Sequence, residues 1–170
     1  MWGIGEVIAS HVDAIEVGER LYGFFPMSSH VLMTPGDLTD RGFMDVVTHR
    51  QALPGIYNQY ARTRSEPDAL QALEDERCIF FPLFMTGYVI ADLLLDNDWY
   101  GVEQVMIGSA SSKTGFSTAA FVRAAGFTGA IVGLTGERNV PFAEALDCYD
   151  SVVPYGDLET LDKTPAAYID

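Results

Sequence analysis

The sequence predicts a mixed α/β protein: a β-rich first half, then a parallel sheet with helices between its strands. Three observations carry that reading. Short apolar segments separated by Gly- and Pro-marked turns fill residues 1–82. From residue 83 onward, apolar strands and helices alternate with a spacing of about 20–25 residues per unit, the pattern of a parallel α/β sheet. Apolar residues make up 48% of the chain and charged ones 20%. That balance fills a core and excludes a disordered tail, a collagen-like repeat and a coiled coil. A length of 170 residues leaves room for one ordinary domain or two small or incomplete ones.

In the first half, Glu6–Ser10 and Leu21–Phe25 read as strands joined through a turn at Gly18. His30–Met33 reads as a third strand, closed by Thr34-Pro35-Gly36-Asp37, and Val46–Thr48 as a short fourth. The pattern from His49 to Arg64 is irregular, broken by Pro54-Gly55 and carrying the aromatic-polar run Tyr57-Asn58-Gln59-Tyr60. Ser65-Glu66-Pro67 opens a short helix through Glu76, since Ser, an early Pro and an acid are N-terminal signals.

The second half changes character near Phe81–Leu83. Leu83–Leu95 is apolar on nearly all sides, as expected of a buried helix. The uninterrupted apolar stretch Cys78–Ala91 falls short of the ~18 residues of a membrane span. Strands follow at Gln104–Gly108, Gly129–Leu134, Ser151–Pro154 and Ala166–Ile169, with helices at Thr114–Ala125 and Pro141–Leu146 between them.

Charge narrows the partners. Twenty-four Asp and Glu against ten Lys and Arg give a net charge of −14 and a pI near 4.3. Such a surface repels phosphate backbones and anionic lipid, so neither nucleic acid nor a membrane surface is an expected partner. Met1–Glu6 lacks the basic and apolar regions of a secretory signal, and Cys78 and Cys148 lie far apart among apolar neighbours. Two reduced, buried thiols in a cytoplasmic protein are the expectation.

The chemistry centres on one loop. Strand Val105-Met106-Ile107 runs into Gly108-Ser109-Ala110-Ser111-Ser112-Lys113-Thr114-Gly115, and a helix follows. A parallel strand that ends in small residues at a helix N-terminus offers unpaired N–H groups and a positive dipole end to a phosphate. On the dinucleotide pattern G-x-G-x-x-G, Gly115 matches the last glycine, while Ala110 and Ser112 stand in for the first two. Both remain small enough for a pyrophosphate to approach. Lys113, one of only two lysines, precedes Thr114 and suggests a P-loop, but that motif needs Gly where Ser112 stands. After the second strand come Thr135, Gly136, Glu137 and Arg138. A hydroxyl and a cation there suit the 2′-phosphate of NADP, whereas Glu137 turned inward would suit the ribose of NAD.

Other constellations carry less. Asp96-x-Asp98-x-x-Gly101 lacks the later calcium ligands and reads as a polar helix end. His11, His30 and His49 sit in separate segments without metal-ligand spacing, so no metal site is expected. Tyr57 and Tyr60 are the weak catalytic candidates, set against ordinary loop packing.

These residues resemble the medium-chain dehydrogenase/reductase superfamily. Val17-Gly18-Glu19-Arg20-Leu21-Tyr22-Gly23 looks like the family's V-G-D-R-V-x-G turn in its GroES-like barrel, and Trp2–Ser10 like the strand that crosses that barrel. Thr86-Gly87-Tyr88 is similar to the T-A-Y segment leading into the cofactor domain. The loop at 105–115, Thr135 and Val152-Val153-Pro154-Tyr155 extend the likeness over nearly the whole chain. The nearest resemblance, carried by Tyr22–His30 and Gly108–Thr114, is to a bacterial branch treated as a domain of unknown function.

The resemblance implies a partial GroES-like catalytic barrel over residues 1–82 and a partial Rossmann dinucleotide-binding domain over 83–170. It implies zinc-independent, NADP-dependent hydride transfer to a small carbonyl or conjugated substrate, because two isolated cysteines cannot supply the zinc sites of other members. Ser109–Gly115 would hold the pyrophosphate, Thr135 and Arg138 the 2′-phosphate, and Thr86 would lie near the nicotinamide. The rival is a dinucleotide-binding or interaction protein that kept the fold without the chemistry. A barrel missing its first strands and a sheet ending at its fourth strand read as a piece of a longer enzyme. Unpaired sheet edges then lead to an expected homo-oligomer or other association.

Overall fold

A computed structural model describes all residues, 1–170. The chain divides into two compact units, Met1–Phe81 and Pro82–Asp170.

The first unit is a five-stranded antiparallel sheet. Its strands are β1 (Trp2–Glu6), β2 (Arg20–Phe24), β3 (Pro35–Gly36), β4 (Gly42–Asp45) and β5 (Gln59–Arg62), in spatial order β1-β2-β5-β4-β3. Gly18, at φ 90°, turns the chain back toward β2. One sheet face packs Leu21, Phe43 and Tyr60 with Ile15 from the β1–β2 connection. The other carries the rings of Trp2, Tyr22 and Phe24 with Tyr57 beside them. Glu19 is buried and pairs with Arg62 at 3.0 Å and Arg64 at 3.4 Å. A buried pair of this kind is costly to break because the surviving partner keeps its desolvation penalty.

Three sequence expectations are corrected here. His30–Met33 is not a strand; the chain pairs two residues later, at Pro35–Gly36. The strand expected at Val46–Thr48 lies earlier, at Gly42–Asp45, where Phe43 faces Tyr60 across β5. The first strand is Trp2–Glu6, before Val7–Ser10 rather than at Glu6–Ser10. In each case the partner strand selects the residues that pair, and local apolar content does not.

Helix α1 is a single turn, Asp68–Gln71, and α2 is the long helix Glu74–Asp96, with Pro82 inside it at the division between the units. Its C-terminus runs into Asp98, Trp99 and Tyr100, all at φ near 50°, and Gly101 at φ 66°. Left-handed residues cost roughly 1–2 kcal/mol each for side chains with a Cβ. A tilted ring contact of Trp99 with Phe127, 5.0 Å between centroids, helps hold this turn.

The second unit is a four-stranded parallel sheet: β6 (Gln104–Ile107), β7 (Ala130–Thr135), β8 (Ser151–Pro154) and β9 (Ala166–Ile169), with α3 (Lys113–Ala124) between β6 and β7 and α4 (Val140–Ala145) between β7 and β8. The spatial order is β8-β7-β6-β9, and every neighbouring pair is parallel. Val105, Ile107 and Ile131 from the sheet, Ala119 and Val122 from α3 and Ala91 and Leu94 from α2 form its core. Gly87 allows α2 to lie against α3: a Cβ there would stand 2.3 Å from Ser117 Oγ and 2.7 Å from the Thr118 nitrogen.

The expectation of a buried helix at Leu83–Leu95 is overturned. Only Gly87, Ala91 and Leu94 of that stretch are buried, while Val89 and Leu93 are each 55% exposed. Gly87 and Ala91 face α3 and the core, but no element of the second unit covers the opposite apolar face. The span estimate is also corrected, since the continuous helix has 23 residues and is long and apolar enough, by length and composition, to cross a membrane. Counting only the uninterrupted apolar run omitted its polar ends.

Candidate functional site

The strand order of the second unit reverses at one point. The chain crosses from β6 to β7 and β8 on one side and returns to β9 on the other. In open parallel sheets, ligands bind outside the carboxyl ends of the strands where the order reverses. That point is the end of β6 beside β9, and the loop Gly108–Ser112 lies there.

The loop is built by its own small residues. Ser112 is the N-cap of α3 and accepts the Gly115 N–H at 3.0 Å. Its own N–H bonds the Ser109 carbonyl at 2.7 Å. A Cβ on Gly115 would stand 2.7 Å from that carbonyl, so the last glycine of the pattern is required by close packing. Ser109 takes φ 48°, an uncommon backbone for a serine.

Ala110 is fully buried and turned into the sheet, not toward a ligand. Its N–H bonds the Leu134 carbonyl at 2.9 Å, and a Cβ on Gly133 would lie 2.9 Å from its methyl group. The glycine absent from position 110 is thus matched by one on β7. Tyr149 donates its hydroxyl to the Ala110 carbonyl at 2.9 Å. Burial pushes the Tyr149 phenol well above the ordinary tyrosine range, which keeps it a neutral donor.

Thr135 is also buried, 1% exposed, and its hydroxyl lies 3.3 Å from that of Ser111. The structure therefore brings these two candidates together, with Ser111 the nearer to solvent. Lys113 and Thr114 open α3 and are half-buried. Arg138 and Glu137 are exposed in the turn after β7, and Arg138 makes no hydrogen bond or ion pair.

Three residues that the sequence reading did not assign to a site gather at the same strand ends. Tyr155, just after β8, accepts the Ser109 N–H at 2.7 Å. A Cβ on Gly108 would lie 2.9 Å from the Tyr168 hydroxyl and 2.8 Å from Asp170 Oδ1. The phenol of Tyr168 is raised, by desolvation first and then by the charge of Asp170. Nothing in the local sequence marks these side chains, because only the parallel pairing of β9 with β6 brings 168–170 to residue 108. The carboxylate of Asp170 favours a hydroxyl donor over a second anion at that edge.

The remaining candidates make contacts within their own elements and units. Thr86 is exposed on α2 and donates to the Pro82 carbonyl at 3.2 Å. Tyr60 is 1% exposed in the core of the first unit, with its hydroxyl bonded to the Phe24 carbonyl at 2.8 Å, which removes it as a catalytic group. Tyr57 packs its ring against Phe24, 5.0 Å between centroids, in the aromatic cluster on the other face of that unit's sheet. Cys78 and Cys148 are free thiols, partly rather than fully buried. Burial raises both above the usual thiol range, which keeps them protonated.

A family model described as a protein of unknown function, DUF2855, matches residues 1–170. The chain belongs to that family. Among solved structures, it is similar to a quinone oxidoreductase from Coxiella burnetii, with 17% identity and a TM-score of 0.50 over 98% of this chain and 46% of that one. It also matches a yhdH oxidoreductase from Salmonella enterica in complex with NADP, at 11% identity and a TM-score of 0.48, over 91% of this chain and 42% of that one. The DUF2855 chain thus spans less than half the length of either. No curated protein matches it in sequence. The mixed α/β fold expected from the sequence, an antiparallel sheet followed by a parallel one, is shared with the quinone oxidoreductase from Coxiella burnetii.

Proposed function

We propose that this DUF2855 chain binds NADP at the loop Ser109–Gly115 and that the protein is a zinc-independent, NADP-dependent oxidoreductase. One observation carries the reading: the small-residue loop and the N-terminus of α3 stand at the reversal of strand order between β6 and β9. The residues fit such a group. Ser109, Ser112 and the first turn of α3 line the exposed side of the loop, and Gly115 allows the tight approach. Arg138 is the cation for the 2′-phosphate, while Thr135, being buried, acts through Ser111. Bound NADPH supplies the hydride, and the chain's own residues bind and orient the two partners. Small carbonyls and conjugated acceptors are the proposed substrate class.

A second reading has a specific observation behind it. Tyr60 is committed to the core and Tyr57 to an aromatic cluster, so neither sequence candidate is poised as an acid. The chain would then bind the dinucleotide without turning it over. Titration with NADPH, followed by assay of nicotinamide absorbance with quinones and enones, separates the readings. Binding with turnover supports the first, binding without turnover selects the second, and no binding rejects both.

A further inference from the structure

We infer that the Tyr155 hydroxyl occupies an anion position of the loop and competes with a dinucleotide for it, so that Tyr155 sets the affinity of the site. The inference rests on the proposed dinucleotide reading, and it begins from where the loop N–H groups go. Gly108 donates to the Ile169 carbonyl at 2.7 Å, Ala110 to the Leu134 carbonyl at 2.9 Å and Ser112 to the Ser109 carbonyl at 2.7 Å. Those amides are locked into sheet and turn. The Ser109 N–H instead reaches the phenol of Tyr155 at 2.7 Å, a side chain from 46 residues further along.

Both partners are accessible: Ser109 is exposed, and Tyr155 is 45% exposed. The amide comes from a serine at φ 48°, so the backbone turns this N–H out of the strand ladder toward the turn after β8, on the β7 side of β6. A neutral phenol oxygen is a weaker acceptor than a phosphate oxygen, because hydrogen bonds to an ionised acceptor are roughly twice as strong as neutral ones. A pyrophosphate oxygen arriving at Ser109 therefore replaces the phenol and does not coexist with it. Tyr155 stands at the start of the irregular turn Tyr155–Thr160, where its side chain can swing outward without disturbing β8. Tyr168 and Asp170 flank Gly108 on the opposite edge, and the Asp170 carboxylate leaves the Tyr155 side as the one suited to an anion.

Tyr155→Phe tests this, because it removes the hydroxyl and keeps the ring. NADPH should bind about two- to tenfold more tightly to the variant, the fold-change expected for removing one competing neutral hydrogen bond. In the amide spectrum of the unliganded protein, Tyr155→Phe should move the Ser109 resonance, and NADPH added to the unmutated chain should move it too. A thermal melt shows that the variant is folded; if it is not, Tyr155→Trp is used in its place with the same readouts. Unchanged or weaker binding in the variant, with clear binding in the unmutated chain, overturns the competition and makes Tyr155 a bystander or a ligand. Absence of NADPH binding in both proteins rejects the dinucleotide reading itself, and the inference with it.

Discussion

At the scale of single residues, the proposed NADP reading turns on Arg138. The 2′-phosphate of NADP carries nearly two negative charges, and the surface it approaches belongs to a chain of net charge −14. Recognition therefore needs a local cation, and Arg138 is the only Lys or Arg between β7 and Lys163. It has no internal partner to give up. A guanidinium can grip a phosphate through two parallel bonds, worth roughly 1.5–3 kcal/mol. Arg138→Ala should weaken NADPH by about one to two orders of magnitude at low salt and leave NADH nearly unchanged. Equal losses for both would make Arg138 structural, and tighter NADH binding in the unmutated protein would hand the ribose to Glu137. The loop was legible in the sequence because small residues between a strand and a helix have few other uses. Tyr155, Tyr168 and Asp170 were not, since their roles come from strands paired across the sheet.

Among the elements, α2 and α3 are joined by a close approach at Gly87. Gly87 meets the Ser117 hydroxyl and the Thr118 backbone nitrogen at distances that no methyl group tolerates. The hydroxyl can rotate away, but the backbone nitrogen cannot. Gly87→Ala should destabilise the protein by about 1–3 kcal/mol, the usual cost of forcing volume into a packed contact, and lower the denaturant midpoint at an unchanged slope. Thr86→Ala, one residue away and exposed, is the control and should change the midpoint little. An equal effect of the two substitutions would mean that the helix contact carries no stability. From β6 onward element boundaries were readable to within one residue, and β8 and β9 begin and end where their apolar runs do, whereas α2 begins at Glu74, nine residues before the expected Leu83. In the first half, Val46–Thr48 and His30–Met33 have strand-like composition but no ladder, because β5 pairs with Gly42–Met44 and β4 with Pro35–Gly36.

For the whole molecule, charge and apolar surface pull in opposite directions. The exposed positions of α2 include Ile79, Tyr88, Val89 and Leu93, each more than half exposed. No charged residue interrupts the helix between Arg77 and Asp92. Exposed apolar patches of several hundred Å² are uncommon on isolated proteins and promote association. Strands β8 and β9 add two unpaired edges. Long-range repulsion between copies opposes contact at low ionic strength and fades as the Debye length shortens. Sizing at rising salt should therefore show a shift from smaller to larger species, and Val89→Glu with Leu93→Glu should suppress it. A single monomeric species at every salt concentration would show that the face and edges do not drive association.

Periodicity, turn residues and small-residue spacing suffice to specify the α/β class, the order of the elements from β6 onward and the loop before α3, but not β5, which lies in the stretch that reads as irregular. These are local properties, written within a few residues of one another along the chain. What depends on pairing across the sheet is not local. The burial of Tyr60 and Thr135, the inward turn of Ala110 against Gly133, the exposure of one face of α2 and the seating of Tyr155 on Ser109 all depend on partners dozens of residues away. Apolar composition states that a side chain gains by leaving water; only the assembled neighbours determine whether anything is there to cover it.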